Sequence, residues 1–184
     1  MIDSKEASAA LAEIDDIVQR VRQSRIYDLA SQMMILWGVL VFAANIATYV
    51  WPRGGYYIWL AVYVVGIAGS FAVSASNRAR TGVRSFDVRT FVAFLLFVAF
   101  GYFCSLVLGH FTPRQQGTFW TIYFMLFYAL AGLWFGNAFV VIAGAITALT
   151  LIGYYFVTGE AFMPWMAVVN GGGLILGGFW MRRS

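Results

Sequence analysis

Charge is scarce in this chain. Asp, Glu, Lys and Arg make up 11% of its 184 residues, while 61% are hydrophobic. A soluble domain carries roughly 25% charged and 45–50% apolar residues. The imbalance excludes an ordinary water-soluble globule and points to lipid as the solvent. Cysteine and histidine are scarcer still, with one of each, Cys104 and His110. A lone cysteine rules out an intramolecular disulfide, and no Cys/His spacing fits zinc. One histidine cannot supply both axial ligands of a bis-histidine haem, nor the roughly three protein ligands of a catalytic metal. Cys104 therefore reads as a small apolar residue and His110 as a structural or interfacial one.

Acids and bases are also missing where membrane chemistry needs them. No Asp, Glu, Lys or Arg sits near the middle of any long apolar run. Buried ionisable groups mark proton relays and ion paths, so proton-coupled transport is disfavoured. A serine or cysteine nucleophile needs a base within hydrogen-bond reach. Ser105 precedes His110 by five residues, a poor match to helical spacing. A metalloprotease motif, paired aspartates and a phosphate-cradling loop are all absent. The sequence thus predicts no catalytic residues, no metal and no cofactor, and a protein that is not an enzyme.

What the chain does have is long apolar runs. A spanning helix needs about 20 mostly apolar residues at 1.5 Å rise each. Six runs qualify, at 32–51, 56–76, 90–110, 118–136, 138–157 and 163–181. Lipid offers the backbone no partners, so each run must be helical. The alternating segments of a β-barrel are absent. The expected fold is all-α: a polytopic bundle of about six spans over residues 31–184, preceded by a cytoplasmic amphipathic helix over 1–30.

The formal net charge of +4 would suggest nucleic acid in a soluble protein. Here it orients the bundle instead. Lys5, Arg20, Arg22 and Arg25 precede the first run. Arg78, Arg80, Arg84 and Arg89 lie in the second connection, and Arg182 and Arg183 close the chain. With six spans these ten basic residues share one side, and only Arg53 and Arg114 fall on the other. The positive-inside rule places both termini in the cytoplasm. Five spans would scatter the pattern. Pro52, Pro113 and Pro164 all fall at outer helix ends, where a missing N–H is tolerated. Trp51, Trp59, Trp120 and Trp165 lie at that level as an expected aromatic belt. The polar, partly acidic first thirty residues do not resemble a signal peptide.

Four features are candidates for function. First, Leu11, Ile14, Ile17, Val18 and Val21 form an apolar stripe on the N-terminal helix. Asp3 and Glu6 look like its capping box, and Asp16 and Arg20 are spaced to pair. The stripe is open to the membrane surface, to the underside of the bundle, or to a protein partner or second copy through residues 5–28. Second, Asn45 and Asn170 each lie six residues from an outer helix end, about 9 Å below it. Both amides should face the bundle interior, where they would bond each other or line a small polar cavity. Third, Asn170 opens the run Gly171, Gly172 and Gly173, with Gly177 four residues further on. Gly132 and Gly136 repeat that spacing. Small-xxx-small spacing lets helices approach closely, while consecutive glycines also permit an unwound segment with free carbonyls. Fourth, Arg78, Arg80, Arg84 and Arg89 form a juxtamembrane basic segment that sets topology and suits anionic lipid.

Trp59-Leu-Ala-Val and Trp165-Met-Ala-Val hint at an internal repeat, although shared interface rules produce the same likeness. The stretches Ile35-Leu-Trp-Gly38, Thr147-Ala-Leu-Thr-Leu-Ile-Gly153, and Trp165 through the glycine run to Arg183 carry a resemblance. On these the whole chain resembles a group of small six-helix bacterial inner-membrane proteins of no known activity. The resemblance implies a multi-pass location in the bacterial inner (plasma) membrane, and no functional residue transfers with it. The functional expectation is a non-enzymatic accessory, scaffolding or regulatory subunit. The alternative is a small-solute or ion transporter or channel acting as a homo-oligomer.

Overall fold

The computed structural model describes residues 4–81, 88–109 and 111–183. The described residues are all-helical, as the apolar runs require. Helix α1 covers Ser4–Val50 without interruption, joining the N-terminal amphipathic stretch to the first apolar run. No glycine or proline occurs before Gly38, so the usual causes of a stop or kink are missing between them. At 1.5 Å per residue, 47 residues make a helix about 70 Å long. Asp3 of the expected capping box lies outside the described residues.

A 3-10 turn at Pro52–Gly54 reverses the chain into α2, Gly55–Thr81. Helices α3 (Val88–Val107), α4 (Pro113–Phe135) and α5 (Asn137–Phe156) follow. The last apolar segment has three parts: α6 (Phe162–Met166), a π-helical turn (Ala167–Gly172) and α7 (Gly173–Arg183). Five segments are long and apolar enough to cross a membrane: Leu11–Val50, Pro52–Ala79, Pro113–Phe135, Asn137–Phe156 and Gly159–Arg183. Phe91–Val107 is apolar but shorter.

The helices run between two ends of one bundle. Pro52, Pro113 and Pro164 mark one, here the proline end. At the other, the arginine end, Arg182 Nε lies 3.7 Å from the Asp28 carboxylate. There too Tyr27 packs edge-on against Phe139, with its hydroxyl against the Gly136 turn. Helices α1 and α2 lie antiparallel, joined by a 3.1 Å bond from Trp37 Nε1 to Ser70 Oγ. Helix α3 packs on α4 through rings, with Phe97 and Tyr123 stacked at 4.1 Å. The Tyr123 hydroxyl donates to the Phe97 carbonyl at 2.8 Å. The α6–α7 segment inserts between α1 and α5. That central position explains why Met166, Ala167, Leu174 and Met181 are among the most buried side chains, while the outward faces of α2 and α3 expose apolar residues.

Gly132 sits where α4 crosses α5, since a Cβ there would lie 2.5 Å from the Val140 side chain. Gly136 departs from the expected small-residue pair. It falls beyond the end of α4, at φ +130°, and forms the turn into α5. Only glycine adopts that backbone freely.

Candidate functional site

Among the described residues the buried polar side chains are Ser31, Asn45, Thr118, Thr121 and Thr150. Ser31 belongs to the arginine end, where its hydroxyl donates to the Asp28 carbonyl at 2.8 Å. The other four form a polar layer nearer the proline end, together with Asn170 and Thr48. Close contacts at glycines place Asn45 and Thr150. A Cβ on Gly171 would lie 2.6 Å from the Phe42 backbone, so α1 and the π-turn nearly touch. Asn45 follows Phe42 by about one turn on α1. On the opposite flank, Gly173 faces Ile146 and Gly153 faces the Trp165 ring. Thr150 lies between Ile146 and Gly153 on α5, so its fully buried side chain faces the segment containing the π-turn.

Both asparagines point inward, but the structure gives each a different partner rather than joining them. Asn170 Nδ2 donates to Thr121 Oγ1 on α4 at 2.8 Å. Asn45 Nδ2 donates to the Val41 carbonyl of its own helix at 2.8 Å. The Thr118 hydroxyl donates to the Arg114 carbonyl at 2.9 Å. Thr48 Oγ1 and Thr150 Oγ1 are buried without a hydrogen-bond partner. The layer holds only amides, hydroxyls and backbone, so it supplies donors and acceptors but no acid, base or fixed charge.

The glycine run is neither a regular α-helix nor unwound. It enters a wider π-helical turn over Ala167–Gly172. Gly171 and Gly173 are packing contacts against α1 and α5, whereas Gly172 would meet only the Ala167 carbonyl oxygen, at 4.0 Å. Beyond the run, Gly177 meets Ile142, and Gly178 meets Ile35 and the Ser31 carbonyl oxygen. Close helix packing therefore accounts for most of these glycines.

Above the layer, Arg114 donates to the Gly153 and Tyr154 carbonyls. Its guanidinium lies 4.6 Å from the centre of the Phe162 ring. A cation at the C-terminus of α5 satisfies free carbonyls and opposes the helix dipole. This clasp was not anticipated from sequence. Neither was the capping box of α4, in which Thr112 and Gln115 bond reciprocally. Thr112-Pro-Arg-Gln115 carries the sequence signature of such a box. Trp165, expected in an interfacial belt, donates to the Leu149 carbonyl at 3.1 Å.

Of the basic segment, Arg78 is exposed at the end of α2. Arg84 lies outside the described residues, as do the side chains of Arg80 and Arg89. His110 also lies outside them. Among the described residues no group of three His, Cys, Asp or Glu could hold a metal. A groove of about 460 Å³ runs between α4 and α5, walled by Met125, Leu126, Ala129, Val140, Gly144 and Thr147. Thr147 is the one polar side chain on its otherwise apolar walls.

The apolar stripe of α1 is uncovered by the described residues. Leu11 is 64% exposed, Val18 57% and Val21 48%, with Ile14 and Ile17 similar. On the same stretch, Arg20 pairs with Asp16 at 2.6 Å. No family model, curated protein or solved structure matches the chain.

Proposed function

We propose that this chain is a non-enzymatic accessory or scaffolding protein of the bacterial inner membrane. In this reading it crosses the bilayer six times, with both termini in the cytoplasm. The carrying observation is the exposed apolar stripe on a helix that continues the first span beyond the bundle. An amphipathic helix with no cover of its own is built to meet another surface. Six crossings are supported by α3, whose 20 residues reach about 30 Å. It links the arginine end of α2 to the proline end of α4. The cytoplasmic assignment rests on the positive-inside rule applied to Arg78, Arg182, Arg183 and the basic residues of α1. Anionic lipid is the expected companion of the juxtamembrane arginines.

The second reading is an uncoupled conduit for a small solute or ion. It is favoured by the π-turn beside the unpartnered Thr150 and Thr48 hydroxyls, since π-turns recur at functional sites. Against it, the Asn45 and Asn170 amides already hold partners within the bundle.

Gentle extraction of the full chain from its native membrane, with the chain lacking residues 1–28 alongside, tests both. Bound proteins and small molecules are identified by mass spectrometry. The accessory reading expects a stoichiometric protein companion that is lost with the deletion. A homo-oligomer holding a specific small molecule and no other protein would transfer the assignment to transport.

A further inference from the structure

We propose that the apolar stripe of α1 is a parallel, in-register coiled-coil seam between copies of this chain. The proposal rests on the reading of this helix as a contact surface outside the bilayer, and it specifies the occupant.

The spacing of the stripe is heptad spacing. Leu11 and Val18 are seven apart, as are Ile14 and Val21, and the two series alternate by three and four. They therefore occupy positions a and d, the inward pair of a coiled coil. Glu13, Asp16 and Arg20 fall at positions c, f and c, away from the seam. The structure agrees: Asp16 and Arg20 pair with each other on that outer face. In the same register the next two positions are Arg25 and Asp28. Asp28 accepts a bond from Gln32 Nε2 at 3.1 Å and lies beside Arg182. The apolar seam thus stops where α1 reaches the bundle.

Geometry selects the partner. A helix lying flat on the membrane would need a sharp turn between the stripe and the first span. That stretch contains no proline or glycine, and α1 runs through it unbroken. The stripe therefore stands off the bilayer on a stalk. Every copy in one membrane presents its stalk in the same direction and at the same height. A seam whose residues match themselves at equal height is what a parallel assembly of identical stalks requires.

The area is consistent with a tethered contact. The exposed parts of the five apolar side chains sum to on the order of 500 Å². A stable interface between free proteins uses about 800 Å² per partner. Copies held in one bilayer already share orientation and a high effective concentration, so the smaller seam suffices.

The test uses the full chain with Cys104→Ser, so that no other thiol competes. Ile14→Cys places a thiol on the seam, and Glu13→Cys places one on the adjacent outer face. Mild oxidation in membranes should give disulfide-linked dimer with Ile14→Cys and leave Glu13→Cys monomeric. Separately, the Ile14→Asp/Val18→Asp variant in lipid nanodiscs should lose the oligomer mass of the parent and run as a monomer. Equal crosslinking at both sites, or an unchanged mass for the double variant, overturns the proposal. Should a different protein be lost with residues 1–28 while the chain stays monomeric, the accessory reading survives and the self-pairing seam does not.

Discussion

At the scale of single residues, lipid changes what a polar side chain does. With no water to bond, an amide takes a protein acceptor, and that choice decides whether it links two helices or stays within one. Asn170 chooses Thr121 across the bundle, whereas Asn45 turns back to Val41 one turn below it. Removing these two amides should therefore have unequal effects. Asn170→Leu breaks a contact between the last segment and α4, and interhelical bonds of this kind are worth about 0.6–2 kcal/mol. Thermal unfolding in detergent should show a lower Tm for Asn170→Leu and for Thr121→Val. The double variant should lose less than the sum of the two, because one bond is removed twice. Strict additivity would mean that the 2.8 Å contact contributes nothing.

At the scale of elements, the last segment is held by absent side chains rather than by present ones. Gly171, Gly173, Gly177 and Gly178 bring it against α1 and α5 in turn. Gly171→Ala would set a methyl 2.6 Å from the Phe42 backbone, where no rotamer change relieves the clash. Overpacking of this kind costs about 1–3 kcal/mol. Gly144 makes the matched control, because a Cβ there meets nothing within 4 Å. Gly144→Ala should fall within about 1 kcal/mol of the parent and on the stabilising side, as alanine is the better helix former. A measured Tm that drops equally for both variants would refute the close approach of α1 to the π-turn. These elements also show what a sequence discloses. The apolar runs were legible because spanning depends on sums over about 20 residues, which neighbours barely alter. The glycine spacing was legible as packing because contact on a helix face follows the period of the helix. The Asn170–Thr121 bond was not legible, since it depends on the register of α4 against the last segment. That register is set by glycine contacts on two other helices. The π-turn was likewise hidden: three consecutive glycines permit several backbones, and the contacts with Phe42 and Ile146 go with one of them. The Thr112–Gln115 box was legible in its spacing, since Thr112-Pro-Arg-Gln115 precedes an apolar run.

At the scale of the whole molecule, charge distribution and helix geometry make separate arguments about topology. In the proposed six-pass topology, ten of the twelve basic residues fall on one side. Independently, the Asp28–Arg182 approach brings the start of the bundle and the end of the chain together. The first argument rests on the potential and machinery of a membrane, the second on packing alone. Their agreement predicts the outcome of labelling with a membrane-impermeant maleimide in a Cys104→Ser background. Glu160 is exposed in the turn at the proline end, and Ser24 is exposed on the stalk. Glu160→Cys should label in intact cells. Ser24→Cys should label only after the membrane is opened, because the proposed orientation puts both α1 beyond the bundle and the C-terminus inside. Labelling of Ser24→Cys in intact cells would reverse the orientation and turn the stalk outward, away from any cytoplasmic companion. Labelling of both in intact cells would mean that an even number of crossings separates the two sites. In that case α3, whose apolar stretch Phe91–Val107 is shorter than the five candidate spans, is the segment that does not cross.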